Sequence, residues 1–223
     1  MHLTARQQKS INAYTVLMYE IRLRADSISI FADPNIPLPA PTRAEACFLQ
    51  IRLICEMIAL GCLVAHEDIQ EVKAARLQKA YEADFIIRAL ERLHPDFFPE
   101  PHTVKVRENA LRNQPGFHYE AVTEGFLSKE QLVRVYRRAG AVLHRGSLQA
   151  TFSSPRDQNA LLSEVEAAQH QIVGLLRAHH IMTKDRKHVF VCSIPDQEHG
   201  EVQVAFASAL AKGRCGCSDL VIV

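Results

Sequence analysis

The segment from Phe48 to Val64 constrains the fold more than any other part of the chain. Over its second half it is apolar on every side, and its polar interruptions are Gln50, Arg52 and Glu56. A helix without a polar face has to be surrounded by other elements, so a helix from Arg43 to Ala65 is expected at the centre of the molecule. Its unbroken apolar run is too short to span a bilayer, and the charged residues inside it also argue against a membrane segment. Ahead of it lies Asp33-Pro34-Asn35-Ile36-Pro37-Leu38-Pro39-Ala40-Pro41, with four prolines. Residues 34–41 are therefore read as an extended Pro-rich connector inside a single helical domain, 1–223. Thr42, with Glu45 three residues on, gives a capping-box signature for the central helix.

Helical spacing recurs along most of the chain. Ile11, Tyr14, Leu17, Met18, Ile21 and Ile28 mark a first helix over about residues 4–32. Ile69, Val72, Leu77, Phe85, Ile86 and Leu90 mark a third from Asp68 to Leu93, stopped by His94-Pro95. Residues 103–126 are ambiguous: Val104 to Leu111 fits a helix, and Gln114-Pro115-Gly116 reads as a turn. Ser128-Lys129-Glu130-Gln131 is a second capping box, opening a helix that ends near His144 or Arg145. A polar loop over 146–156 leads to a last helix from Asp157 to about His180. Val189 and Val191, then Val202, Val204 and Phe206, alternate instead, which reads as a β-hairpin over 188–207. The expected fold is mainly α: a bundle of about five helices with a small C-terminal β-hairpin.

Charge and composition narrow the function classes. The formal net charge is +1, so binding to nucleic acid or an anionic membrane would need a local patch rather than a bulk field. Trp is absent, which argues against an aromatic platform for single-stranded nucleic acid. Met1 to Ser10 is polar and lacks the apolar run of a secretory signal, so a soluble, cytoplasmic protein with no membrane partner is expected. In that setting the six cysteines are read as reduced thiols, with Cys47, Cys55 and Cys62 as small hydrophobes of the central helix. Cys215-Gly216-Cys217 has one intervening residue, where zinc knuckles and redox motifs have two.

The helix opened by Ser128 carries the clearest chemical hint. Leu132, Val135, Tyr136, Ala139, Val142 and Leu143 form its apolar stripe, and His144 falls almost opposite the stripe's centre. Arg137, seven residues before His144, returns to nearly the same angle; Arg138 lands at the edge of the stripe. The helix thus presents a His and at least one Arg at its C-terminal end. Arg134, Arg137 and Arg138 also fit a plain solvated face, with His144 interacting favourably with the helix dipole.

Tyr136-Arg137-Arg138-Ala139-Gly140-Ala141-Val142-Leu143-His144 resembles the Arg/His motif of the HEPN (higher eukaryote and prokaryote nucleotide-binding) helical bundles, in which four to six residues separate Arg from His near the end of a late helix. Ile51-Arg52-Leu53-Ile54-Cys55-Glu56 resembles the Arg-x-x-x-Glu helix of some bacterial HEPN-like families. The resemblance covers about the middle third of the domain. It implies a metal-independent endoribonuclease acting in bacterial defence or a toxin–antitoxin pair, with RNA as substrate, an antitoxin or other protein as partner, and a homodimer that brings two such helices to one cleft. His144 would serve as acid or base on the ribose 2′-hydroxyl. Arg138, with Arg137 next, would hold the phosphate. The chain departs from the motif at Ala139, where active members carry a polar residue. The alternative is a non-catalytic helical scaffold or interaction protein.

Arg52 and Glu56, four apart in apolar surroundings, read either as a pair that fixes the register of the central helix or as supports of the site, with Glu56 orienting His144. No cofactor or metal is expected. His179 and His180 are adjacent and point to different sides, while His94, His102 and His118 lie in connectors without ligand spacing. A third reading is a regulatory protein whose C-terminal hairpin pairs with a partner strand along Val202 to Phe206 or Leu220 to Val223.

Overall fold

The helix α2, Ala40–Ala65, runs through the centre and is buried along most of its length. Ile51, Ile54 and Ile58 are fully enclosed, each contributing about 1.5–3 kcal/mol of burial. The structure is a computed structural model that describes residues 3–109, 114–144, 157–195, 200–209 and 220–221, with backbone alone at 104–109, 114–119, 208–209 and 220–221. Around α2 pack α1 (Ala5–Ala32), α4 (Ala83–Leu93), α5 (Lys129–Leu143) and α6 (Gln158–Leu176). Mainly α is therefore the architecture of the bundle. Of the described helices, α2 alone is long and apolar enough to cross a membrane, and most of that stretch is buried among its neighbours.

The strands form a larger assembly than a hairpin. β1 (Glu100–Asn109), β2 (Gln114–Ala121), β3 (Ala178–Met182), β4 (His188–Ser193), β5 (Gln203–Ala209) and β6 (Leu220–Val221) make one antiparallel sheet in the order β2-β1-β3-β4-β5-β6. The hairpin expected over 188–207 is the β4–β5 step of this sheet. One sheet face, with His179, Ile181, Phe190, Cys192 and Phe206, packs on the helices. The other carries a separate small cluster of Val189, Val191 and Ala207, with Met182 against it. Cys47, Cys55, Cys62 and Cys192 are buried and unbridged.

Several boundaries correct the sequence expectations. The α2 helix starts at Ala40, inside the supposed connector, and Thr42 is not its cap: Pro39 precedes it without a side-chain cap bond. Proline fits a first helical turn because its missing N–H has no partner there anyway. The third helix is not continuous. A 3-10 turn at Gln70–Lys73 and α3 (Ala75–Gln78) precede α4. No buried apolar side chain lies between Leu77 and Ala83, and Tyr81 is exposed, so packing does not hold a helix there. Val104 and Val106 belong to a strand, and Gln114 to Gly116 begins the next. The last helix stops at Leu176, and His179 and His180 lie in β3. The 146–156 loop and Cys215-Gly216-Cys217 fall outside the described residues.

The approach to α5 is fixed backbone against backbone. Leu127 donates its amide to the Gln171 carbonyl of α6 at 2.9 Å. A Cβ on Gly174 would lie 2.2 Å from the Gly125 carbonyl oxygen, so only glycine allows this contact. The Ser128 hydroxyl accepts from the Gln131 amide, and the Gln131 side chain accepts from the Ser128 amide, completing the capping box that starts α5.

Candidate functional site

The polar residues of α2 meet α5 at their crossing. The Arg52 guanidinium lies 3.4 Å from the Glu56 carboxylate, donates to the Tyr136 hydroxyl at 2.8 Å, and stands 4.4 Å from the centre of the Tyr136 ring. Its third nitrogen fills the space over Gly140, where a Cβ would come within 2.6 Å. The Arg52 and Glu56 side chains are 29% and 16% exposed, so this is a half-dry ion pair whose members satisfy each other. Burial pushes the Tyr136 phenol up; the Arg52 charge opposes that shift, while the charge of Glu56 and a hydrogen bond to it add to it. The arrangement locks the register of two helices and holds an arginine against an aromatic face.

The arginines proposed as phosphate clamps diverge. Consecutive helical positions differ by about 100°, which sends them to opposite flanks of α5. Arg137 donates through Nε and Nη2 to Asp84 of α4 at 2.9 and 2.5 Å. Arg138 forms a two-pronged bond to Glu164 of α6 at 2.7 and 2.9 Å. His144 is the exposed residue that ends the helix, with extended backbone and its amide bonded to the Gly140 carbonyl at 3.1 Å. Tyr136, Gly140 and His144 follow at intervals of four along one side of α5. Because Arg52 already meets Gly140 and Glu56 meets Tyr136, His144 lies about 6 Å farther along the axis from Gly140, on the side away from Glu56. The structure brings Arg52, Glu56 and Tyr136 together; it does not bring Arg137 and Arg138 to one point. In the sequence Tyr136 reads as part of the apolar stripe, and nothing local to α5 announces Asp84 or Glu164.

Histidines concentrate where helices meet the sheet. His179 is fully buried; its Nδ1 donates to the Leu176 carbonyl at 3.1 Å, so its Nε2 accepts from the Tyr14 hydroxyl at 2.6 Å. Burial lowers His179 to about 4 and raises Tyr14 far above the usual phenol range, so both stay neutral. His66 faces two carbonyls, Cys62 at 2.8 Å and Met182 at 3.3 Å. A neutral ring donates once, to the nearer Cys62; Met182 receives its proton from His94 at 3.1 Å instead. Among the described residues no group of three or more His, Cys, Asp or Glu side chains converges as a metal cage.

Two surface features remain. A cleft of about 220 Å³ between α1 and the sheet is lined by Arg6, Ser10, Glu67, Asp185, His188 and Phe206 among others. Its polar groups match one another: Ser10 and Arg6 bond Glu67, and Thr183 bonds Asp185. A wider apolar groove of about 660 Å³ runs between α1 and the end of α2, past Val16, Leu17, Leu60, Leu63 and Val64. Along α1, Val16, Tyr19, Leu23 and Ile30 are 65%, 44%, 44% and 57% exposed, at steps of three, four and seven. One side of β5 pairs with β4 from Gln203 to Ser208; on its other side the described pairing is with β6 at Ser208 and Ala209 alone. Compared with protein-family models, curated proteins and solved structures, the chain finds no match.

Proposed function

We propose that the chain is a HEPN-like helical interaction protein that self-associates and does not cut RNA, the second of the three readings its sequence leaves open. The observation that carries this reading is the exposed row Val16, Tyr19, Leu23 and Ile30 on α1. Its three-four-seven spacing is that of a coiled-coil seam, which a second copy of the same helix can cover; Asp26 interrupts the row one turn before Ile30. On α5, both arginines of the would-be phosphate clamp are held by carboxylates on different helices. A phosphate would have to displace Glu164 from Arg138, or Asp84, which Arg137 shares with Arg88 one turn along α4.

The endoribonuclease reading keeps one supporting observation, the alignment of Tyr136, Gly140 and His144 along the side of α5 that Arg52 covers. Half-exposed ion pairs such as those of Arg137 and Arg138 are worth little, about 0–1 kcal/mol, and can exchange partners. A single experiment separates the two readings. Purified wild type is incubated with varied RNAs in EDTA beside His144→Ala and Arg138→Ala, and its mass in solution is measured with that of Leu23→Glu. The interaction reading expects intact RNA and a dimer that Leu23→Glu splits. Cleavage by wild type that both α5 variants lose would establish the nuclease instead.

A further inference from the structure

His102 of β1 and His180 of β3 meet on the sheet face turned away from the helices, where Glu100 pairs directly with His180 in register. Their Nδ1 atoms are 3.4 Å apart, and the rings are inclined at 40°. Direct N–H bonds in proteins run at about 2.7–3.2 Å, so this contact is long for one. It does match the edge of a tetrahedron: two nitrogens each about 2.0–2.1 Å from a zinc ion sit about 3.3–3.4 Å apart. Behind His180, the Glu100 carboxylate lies 3.5 Å from Nε2. That is the place of the carboxylate that orients a metal-binding imidazole from its far side. The Glu100 carbonyl also accepts a hydrogen bond from the His102 ring, a bond that coordination through Nδ1 has to break. His102 is buried, whereas the His180 and Glu100 side chains are 20% and 63% exposed, which leaves an approach from solvent.

We propose that His102 and His180 form a two-histidine site for a divalent cation of the zinc, nickel and copper class, bound through both Nδ1 atoms, with Glu100 orienting His180 and water completing the coordination. Imidazole nitrogen suits these ions, and a site with two protein ligands binds them reversibly rather than as a permanent structural centre. The spacing that hides the site in the sequence is the one that creates it. Residues 102 and 180 become neighbours only because β1 pairs with β3.

The test uses full-length protein stripped with EDTA, dialysed, and titrated at about pH 7.5 with Zn²⁺ by calorimetry and with Co²⁺ by visible absorption. Wild type is expected to bind one more ion per chain than His102→Ala or His180→Asn. Glu100→Gln is expected to keep that ion and bind it roughly 10–100-fold more weakly. Zn²⁺ is also expected to raise the thermal midpoint of wild type more than that of either histidine variant. Equal stoichiometry and affinity in wild type and variants, or no binding by wild type, would overturn the proposal. Should His102→Ala fail to fold by circular dichroism, His180→Asn, at a partly exposed position, and Glu100→Gln carry the test.

Discussion

At the scale of single residues, Arg52 shows how a half-buried charge is made tolerable. It is shared among Glu56, the Tyr136 hydroxyl and ring, and the space above Gly140. Removing one member leaves the other without its counter-charge, so Arg52→Ala is expected to destabilise by about 1–3 kcal/mol, less than a fully buried pair because both side chains keep some solvent. The double change Arg52→Met with Glu56→Leu should be milder than Arg52→Ala alone. Urea unfolding of the two proteins checks the order, and a harsher double variant would deny the pair its role as a matched unit. His66 sets a pH dependence. Burial, aided by the neighbouring His94, holds its pKa below the usual imidazole value against the pull of the Cys62 and Met182 carbonyls and Asp68. As pH falls below about 6.5, the unfolded chain takes up a proton that the folded chain resists, so stability declines on acidification. Unfolding midpoints between about pH 7.5 and 5 should fall for wild type and fall less for His66→Gln; identical slopes would remove His66 from the account.

At the scale of elements, locally encoded structure was the legible part. The capping box at Ser128 and Gln131 starts α5 as its sequence says, and Ser128→Ala is expected to lose about 1 kcal/mol by thermal unfolding. The apolar circumference of α2 announced a central helix, and Ile54→Ala there should lose about 2–5 kcal/mol. What escaped was set by distant partners. Residues 178–180 continue a helical pattern on paper, yet pairing with β1 and β4 and the bond from Tyr14 to His179 make them strand. In β1 the alternation of Val104 and Val106 with Lys105 and Arg107 has period two, but it is too short to outweigh a helical reading. The candidate site divides in the same way. The Arg/His helix was visible, and so was the Arg52–Glu56 spacing, because both lie within single helices. The carboxylates that hold Arg137 and Arg138 come from α4 and α6, and only the packing of three helices reveals them.

At the scale of the whole molecule, bundle and sheet share one core. Tyr14 of α1 touches Phe190 and His179 of the sheet, and the Met182 carbonyl at the end of β3 receives His94 from just beyond α4. A chain ending at Leu176 would strip His179 and Phe190 from Tyr14, so it is expected to lose cooperative unfolding by circular dichroism; a truncated chain with a sharp transition would show that the bundle folds by itself. The buried cysteines follow from the same shared core. Burial raises Cys47 to about 11 and Cys55 to about 12, and Cys62 and Cys192 higher still. Only the thiolate attacks an alkylating reagent, so in the native state these four sulfurs are chemically silent. Three of them sit on α2 and the fourth on β4, which makes them timers built into the two halves of the molecule. The rate at which each acquires a label records how often its half comes open, and four equal rates would mean that helices and sheet open together.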